Sequence, residues 1–190
     1  MISPAPRTPR FPPPRSAFRI KPKLETDCFV ALDFETADYG QDSACSLALI
    51  RVENHVIVRR EHRLIRAPRR HFVFSYLHGI TWDMVAQEPT FGELWPELAP
   101  TLLGTRFIAA HNASFDAKVM RACCAAAALA SPEQPFLCTV KLARKTWGVR
   151  PTKLPNVCAH LGLALNHHDA LSDAEACANI VIAAIRDGGL

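Results

Sequence analysis

Val30-Ala31-Leu32-Asp33-Phe34-Glu35-Thr36 is the stretch on which the reading of this chain turns. An apolar run that begins at Cys28 closes on two acids one residue apart. The twofold period of a strand puts both carboxylates on the same face. Carboxylates that close repel each other, and burying either one unpaired is costly. A positive group belongs between them, and a divalent cation meets the need with a single ion. A solvated edge strand also carries Asp-x-Glu, so the question is whether the chain returns more acids to this place.

Length and composition bound the answer. The 190 residues suit one domain with a sizeable core. No apolar run approaches membrane-spanning length, so no membrane partner is expected. Arg7, Arg10 and Arg15 have no apolar h-region or small-residue cleavage site beside them, which argues against a secretory signal. Seven cysteines, an odd number without framework spacing, read as reduced thiols of a cytoplasmic protein. Cys123 and Cys124 lie in an Ala-rich run and read as core filler.

The net charge of +4 is unevenly placed. Residues 1–24 hold six Lys or Arg and no acid, so the remaining chain is slightly acidic. That excludes a uniformly basic, nucleic-acid-coating surface, and attraction to phosphate must come from local patches. The same segment holds seven of the fifteen prolines, including Pro12-Pro13-Pro14. It reads as a disordered Pro/Arg-rich tail, either a linker, a weak nucleic-acid arm or without function. Residues 25–190 form the expected domain.

Along the domain, Cys28–Leu32, Ala44–Val52 and His55–Leu64 read as three antiparallel strands. Arg51, Arg59, Arg60, Arg63, Arg66, Arg69 and Arg70 follow the hairpin and read as a solvated face, with phosphate contact as the alternative. Tyr76–Thr81 is a loop into a short helix that Thr81 can cap. Thr90 and Glu93 form a capping box for a helix over Phe91–Leu103, with Pro96 inside it. Arg106–Ala110 is a short strand, and a helix over Ala117–Leu129 follows, with Asn112 or Ser114 as its cap. Phe136–Thr139 is a strand, and Lys141–Trp147 and Leu154–Leu161 are helices. A last helix runs from Ser172 or Asp173 to Arg186. Three strands followed by strand–helix alternation predict an α/β fold with a central mixed five-stranded sheet.

Asp33, Glu35, Asp116 and Asp173 thus each fall at a strand end or a helix start, with His168 five residues before the last. One acid at a helix start is ordinary, since the helix dipole favours it. Three acidic junctions and a histidine make a metal-site pattern suited to phosphodiester hydrolysis.

These segments resemble the three motifs of the DEDDh group, the DnaQ-like proofreading exonucleases of ribonuclease H-like fold. Asp33-Phe34-Glu35-Thr36 is similar to the first motif, His111-Asn112-Ala113-Ser114-Phe115-Asp116 to the second, and His168 through Ala174 to the third. His78-Gly79-Ile80-Thr81 resembles the loop that lines the nucleotide pocket. The resemblance implies 3′→5′ removal of nucleoside 5′-monophosphates with two Mg²⁺ or Mn²⁺ ions. It implies that Asp33 bridges the ions, that Glu35 and Asp173 hold the one activating water, and that Asp116 supports the other. His168 is then the general base, and Thr36, His78, Gly79 and Ile80 grip the terminal nucleotide. Asn112 joins them as a loop-fixing hydrogen-bonder, and His167 is a solvated loop residue. The adjacent Asp169 is a departure from the pattern, expected to couple to the His168 ring.

The implied substrate is a single-stranded or frayed 3′ end of DNA, with a DNA polymerase as a conceivable partner. An RNA-trimming enzyme resembling ribonuclease T or oligoribonuclease is the alternative, because two-metal chemistry acts on phosphate and not on sugar. A non-catalytic polymerase-binding module is a third reading. A zinc-binding regulator is a fourth, for which Cys158, His160 and the His167-His168 pair lack ligand spacing.

Overall fold

A computed structural model describes residues 28–190; the tail read over residues 1–24 lies outside the described part. Strands β1 (Phe29–Thr36), β2 (Ala44–Glu53) and β3 (Val56–Leu64) form the expected antiparallel meander. At the β2–β3 turn, Asn54 and His55 both take positive φ (49° and 65°), which delays the start of β3 to Val56. Strands β4 (Ile108–Ala110) and β5 (Phe136–Cys138) add on in parallel. The order is β3-β2-β1-β4-β5, so β1 lies at the centre of a mixed five-stranded sheet.

Side chains alternate along β1, and the alternation sorts the core into two layers. Val30, Leu32 and Phe34 pack with Leu47, Leu49, Trp95 and Met120, under α3 (Phe91–Leu98) and α4 (Ser114–Ala126). Phe29 and Ala31 pack with Ile50, Ile180 and Val181 on the other face. That face is covered by α5 (Thr139–Trp147), α6 (Leu154–Leu161) and α7 (Ala170–Arg186). By the same alternation Asp33 and Glu35 belong to the α7 face. Ala170, Ala174, Cys177 and Ala178 are all but completely buried there, and small side chains let α7 lie close against the sheet. Short helices α1 (Ser75–His78) and α2 (Trp82–Val85) fill the crossover after β3.

Several boundaries differ from the sequence reading for identifiable reasons. The helix expected over Phe91–Leu103 ends at Leu98 and continues as a 3-10 turn over Ala99–Leu102. Pro100 has no amide to give to the carbonyl four residues back, so the chain tightens. Glu93 does complete the capping box, accepting from the Thr90 amide at 2.7 Å. Helix α4 starts at Ser114 behind the N-cap Ala113, and neither Asn112 nor Ser114 caps it with a side chain. Thr81 sits at the N-cap of α2, also without a side-chain hydrogen bond. The last helix starts at Ala170, because the Asp169 carboxylate accepts from the Ser172 amide at 2.9 Å.

The arginines of the hairpin region are engaged within the fold, as a solvated face requires. Arg59 pairs with Glu61, Arg60 with Glu175 and Arg63 with Glu61 and Glu97. Arg69 bridges Asp38 and Asp42 across the β1–β2 turn, and Arg70 lies over the Trp82 ring. Among the described residues no helix is long and apolar enough to cross a membrane. Cys123 and Cys124 are buried in the core, as read.

Candidate active site

The site forms where β1 runs out past its parallel neighbour. β4 is in register with β1 only at Val30 and Ala31. The Phe34 amide lies beyond that pairing and donates to Asp116 Oδ1 at 3.3 Å. This bond ties the first turn of α4 to the strand segment between Asp33 and Glu35. A register shift between Glu35 and Thr36 then bends the strand end, a common device beside functional sites.

Asp173, in the first turn of α7, completes the group. One carboxylate oxygen each from Asp33, Glu35 and Asp173 lie within 4.8 Å of one another. Asp116 is 1% exposed and Asp173 4% exposed, while Asp33 and Glu35 are partly open to solvent. The four sequence-predicted acids therefore converge from one strand and two helix starts.

Such crowding shows in the acidities. Burial, then the charges of Asp116, Glu35, Asp173 and Asp169, push the Asp33 carboxyl well above its ordinary range. Burial and the Asp173, Asp116 and Asp169 charges raise Glu35 to about 8. Burial raises Asp116 to about 7 against the opposing hydrogen bonds from the Phe34 amide and its own. Asp173 is raised by burial, with His167 and His168 pulling the other way. A shared cation removes this conflict. The donor set fits one: three carboxylates offer oxygen alone, as hard divalent ions prefer, and the buried Asp173 Oδ1 has no hydrogen-bond partner.

The two histidines before α7 differ from their sequence reading. The His168 amide donates to Asp173 Oδ2 at 3.2 Å, and His167 Nδ1 lies 2.9 Å from the same oxygen. His167, read as a solvated loop residue, is exposed yet holds Asp173. Asp169 does not reach for the His168 ring with a hydrogen bond; its carboxylate is spent on the Ser172 amide.

The loop expected to line the nucleotide pocket is braced from within. His78 ends α1, and Gly79 takes φ +75°, a left-handed cap that favours glycine. The Ile80 amide donates to His78 Nδ1 at 3.0 Å, so the neutral ring carries its proton on Nε2 and donates to the Thr36 carbonyl at 3.1 Å. Ile80 is only 7% exposed and packs with Ala37, Cys45 and Val85. This loop thereby locks Thr36, itself buried, with its backbone and does so through groups that face the protein. Beside Thr36 opens a cavity of about 370 Å³, lined by Tyr39, Phe74, Asn112, Phe115 and Lys118 among others. Tyr39 is 82% exposed and Phe115 44% exposed. Asn112 is exposed at its rim with φ 65°, a conformation asparagine tolerates. A larger cavity of about 680 Å³, floored by Ile65 and Phe91, contains none of the four acids.

Sequence reasoning missed three contributors. His111 spans from Thr139 Oγ1 (2.8 Å) to the Thr152 carbonyl (3.1 Å), fixing the end of β4 to α5 and to the loop before α6. Cys177, one turn after Asp173, lies close enough to the acids for Asp33 and Asp116 to raise its thiol further than burial alone. His167 is the third. Only the helical spacing of Cys177 from Asp173 was visible beforehand.

With this geometry in view, comparison with known proteins places the chain. A family model described as "Exonuclease" matches residues 30–181. The chain belongs to the DEDDh exonucleases. It is a nuclease that hydrolyses phosphodiester bonds of nucleic acid, on a ribonuclease H-like fold. It is 32% identical over 164 residues to a DNA polymerase III PolC-type of Thermotoga petrophila, covering 84% of this chain and 12% of that relative. It is 29% identical over 174 residues to the DNA polymerase III subunit epsilon of Aquifex aeolicus, covering 87% of this chain and 84% of that one. Among solved structures, exonuclease X in complex with 5′ overhanging duplex DNA superposes with a TM-score of 0.70 at 26% identity, over 85% of this exonuclease and 93% of that chain.

Proposed function

We propose that residues 25–190 form a 3′→5′ exonuclease domain that removes nucleoside 5′-monophosphates from single-stranded or frayed 3′ ends of DNA. The observation that carries this reading is the convergence of Asp33, Glu35 and Asp173 within 4.8 Å, with Asp116 hydrogen-bonded to the strand between the first two. Asp33, Glu35, Asp116 and Asp173 would hold two Mg²⁺ or Mn²⁺ ions. When bound, these supply an activated water and stabilise the leaving oxygen. His168, beside Asp173 and partly exposed, is the group to take the proton from that water.

The substrate end belongs in the cavity next to Thr36. Tyr39 and Phe115 offer aromatic faces for bases, and Lys118 offers charge for a phosphate. His78, Gly79 and Ile80 would serve by fixing the Thr36 backbone, and Asn112 by shaping the rim. DNA is favoured over RNA because relatives spanning most of this chain carry DNA polymerase III names. The same names make a DNA polymerase the expected partner. All seven cysteines are free thiols, in keeping with work in the cytoplasm.

The test is digestion of 5′-labelled single-stranded DNA, single-stranded RNA and a 3′-mismatched duplex in Mg²⁺, Mn²⁺ or chelator. DNA ladders that shorten from the 3′ end, and vanish in chelator, in Asp33→Ala and in His168→Ala, are expected. Faster digestion of RNA replaces the substrate assignment, and activity retained by Asp33→Ala or in chelator overturns the mechanism.

A further inference from the structure

In an extended chain the rings of neighbouring residues point apart. His168 instead takes φ 69°, and the rings of His167 and His168 stack with centroids 3.9 Å apart. Both stand next to Asp173, and the three residues offer one ligand atom each within 4.8 Å of one another. This set differs in kind from the acidic cage. The cage gives carboxylate oxygen alone, whereas this set gives two imidazole nitrogens and one oxygen. Asp173 alone belongs to both.

We propose that His167, His168 and Asp173 form a second cation site, selective for Zn²⁺ and similar borderline metals, whose occupation switches the exonuclease off. Imidazole suits zinc, while Mg²⁺ prefers oxygen. Three protein ligands of this type are a set that zinc takes, with a fourth position left for water. The spacing hides the site from the sequence, because ligands at i, i+1 and i+6 across a loop-to-helix junction match no common zinc pattern.

Two further observations point to a ligand. Asp173 is 4% exposed and keeps one oxygen without a partner. The contact from His167 Nδ1 to Asp173 Oδ2 already holds the two side chains together, so the metal takes the place of a proton. The other nearby imidazoles are committed elsewhere: His78 to Thr36 and Ile80, and His111 to Thr139 and Thr152. A cation held by His167, His168 and Asp173 occupies both the imidazole that would accept the water's proton and a carboxylate of the catalytic cage. Zinc binding and catalysis therefore exclude each other. The inhibitory half of the proposal rests on the function proposed above, whereas the binding half stands on geometry alone.

The test combines direct binding with inhibition. In excess Mg²⁺ the purified chain is titrated with Co²⁺, whose visible spectrum reports four-coordination, and with Zn²⁺ against a chromophoric chelator. One tightly held ion per chain is expected. His167→Asn lowers the Zn²⁺ affinity by about tenfold or more, and His167→Cys, which keeps a zinc ligand, restores it. The Zn²⁺ midpoint for inhibition of DNA digestion moves by the same factor, each variant being compared with its own rate in Mg²⁺ alone. Equal Zn²⁺ affinity in the parent and His167→Asn, or zinc that excess Mg²⁺ displaces, overturns the site. A chain that digests nothing in Mg²⁺ alone fails the function reading instead, and the Co²⁺ spectrum of His167→Asn still decides the site.

Discussion

Asp173 has two oxygens in different surroundings. Oδ2 receives the His168 amide and faces His167, while Oδ1 has no partner. A carboxylate so placed is oriented but not neutralised, as a ligand waiting for a cation should be. His168 follows it in the order of consequence. Replacing it with Gln keeps a polar side chain of similar reach but removes the base, and turnover should fall about 10²–10⁴-fold with substrate affinity retained. Single-turnover rates against oligonucleotide titrations separate the two effects; a variant that loses affinity and keeps its rate assigns His168 to binding. Phe115 gives the opposite pattern. Its exposed ring lines the cavity beside Thr36, and stacking on a base is worth about 1–3 kcal/mol. Phe115→Ala should therefore raise KM about five- to 150-fold by that range while leaving kcat nearly as it was, and an unchanged KM removes the ring from the substrate path.

At the scale of elements, α7 carries the site because its packing face is made of small residues. Ala174, next to Asp173 in sequence, is fully buried against the sheet. Ala174→Leu should cost about 1–3 kcal/mol through overpacking. It should also lift Asp173 away from β1, so that metal response falls further than stability. Urea denaturation and metal-dependent melting, measured side by side, check this; a stability loss with full metal response would mean α7 adjusts without moving its first turn. Much of this architecture was legible in the sequence. The period-two pattern of β1 put Asp33 and Glu35 on one face, and the capping box at Thr90 and Glu93 marked the start of α3. Less was legible at the junctions. The start of α7 was misjudged because Asp169 was weighed as a charge beside His168 and not as a cap. His167 and His111 were passed over because their partners, Asp173 for one and Thr139 and Thr152 for the other, are brought near by tertiary packing that local spacing does not encode.

For the whole molecule, the acids of the site make folding, metal binding and pH one linked problem. Glu35 and Asp116 are raised to about 8 and about 7, and Asp33 and Asp173 are raised as well. A carboxyl whose folded pKa lies above its unfolded value holds its proton in the folded state where the unfolded chain has lost it. Its contribution to stability is then fully present below the unfolded pKa and is lost as pH rises through the folded one. Without metal, the protein should melt progressively lower from about pH 5 to pH 8.5, by about 2–4 °C for each kcal/mol lost. Divalent ions need the deprotonated carboxylates, so their affinity should rise over the same interval and each ion bound should displace protons. Mn²⁺ should therefore raise the melting temperature strongly at pH 8 and weakly at pH 6. Glu35→Gln supplies the control: it should stabilise the metal-free chain at pH 8, change little at pH 5, and blunt the response to Mn²⁺ at both. Calorimetric scans of chelated and Mn²⁺-loaded protein across this range test the linkage. A metal-free melting temperature that stays level from pH 5 to pH 8.5, with an equal Mn²⁺ shift throughout, would mean that the four carboxylates are already neutralised by something other than a bound cation.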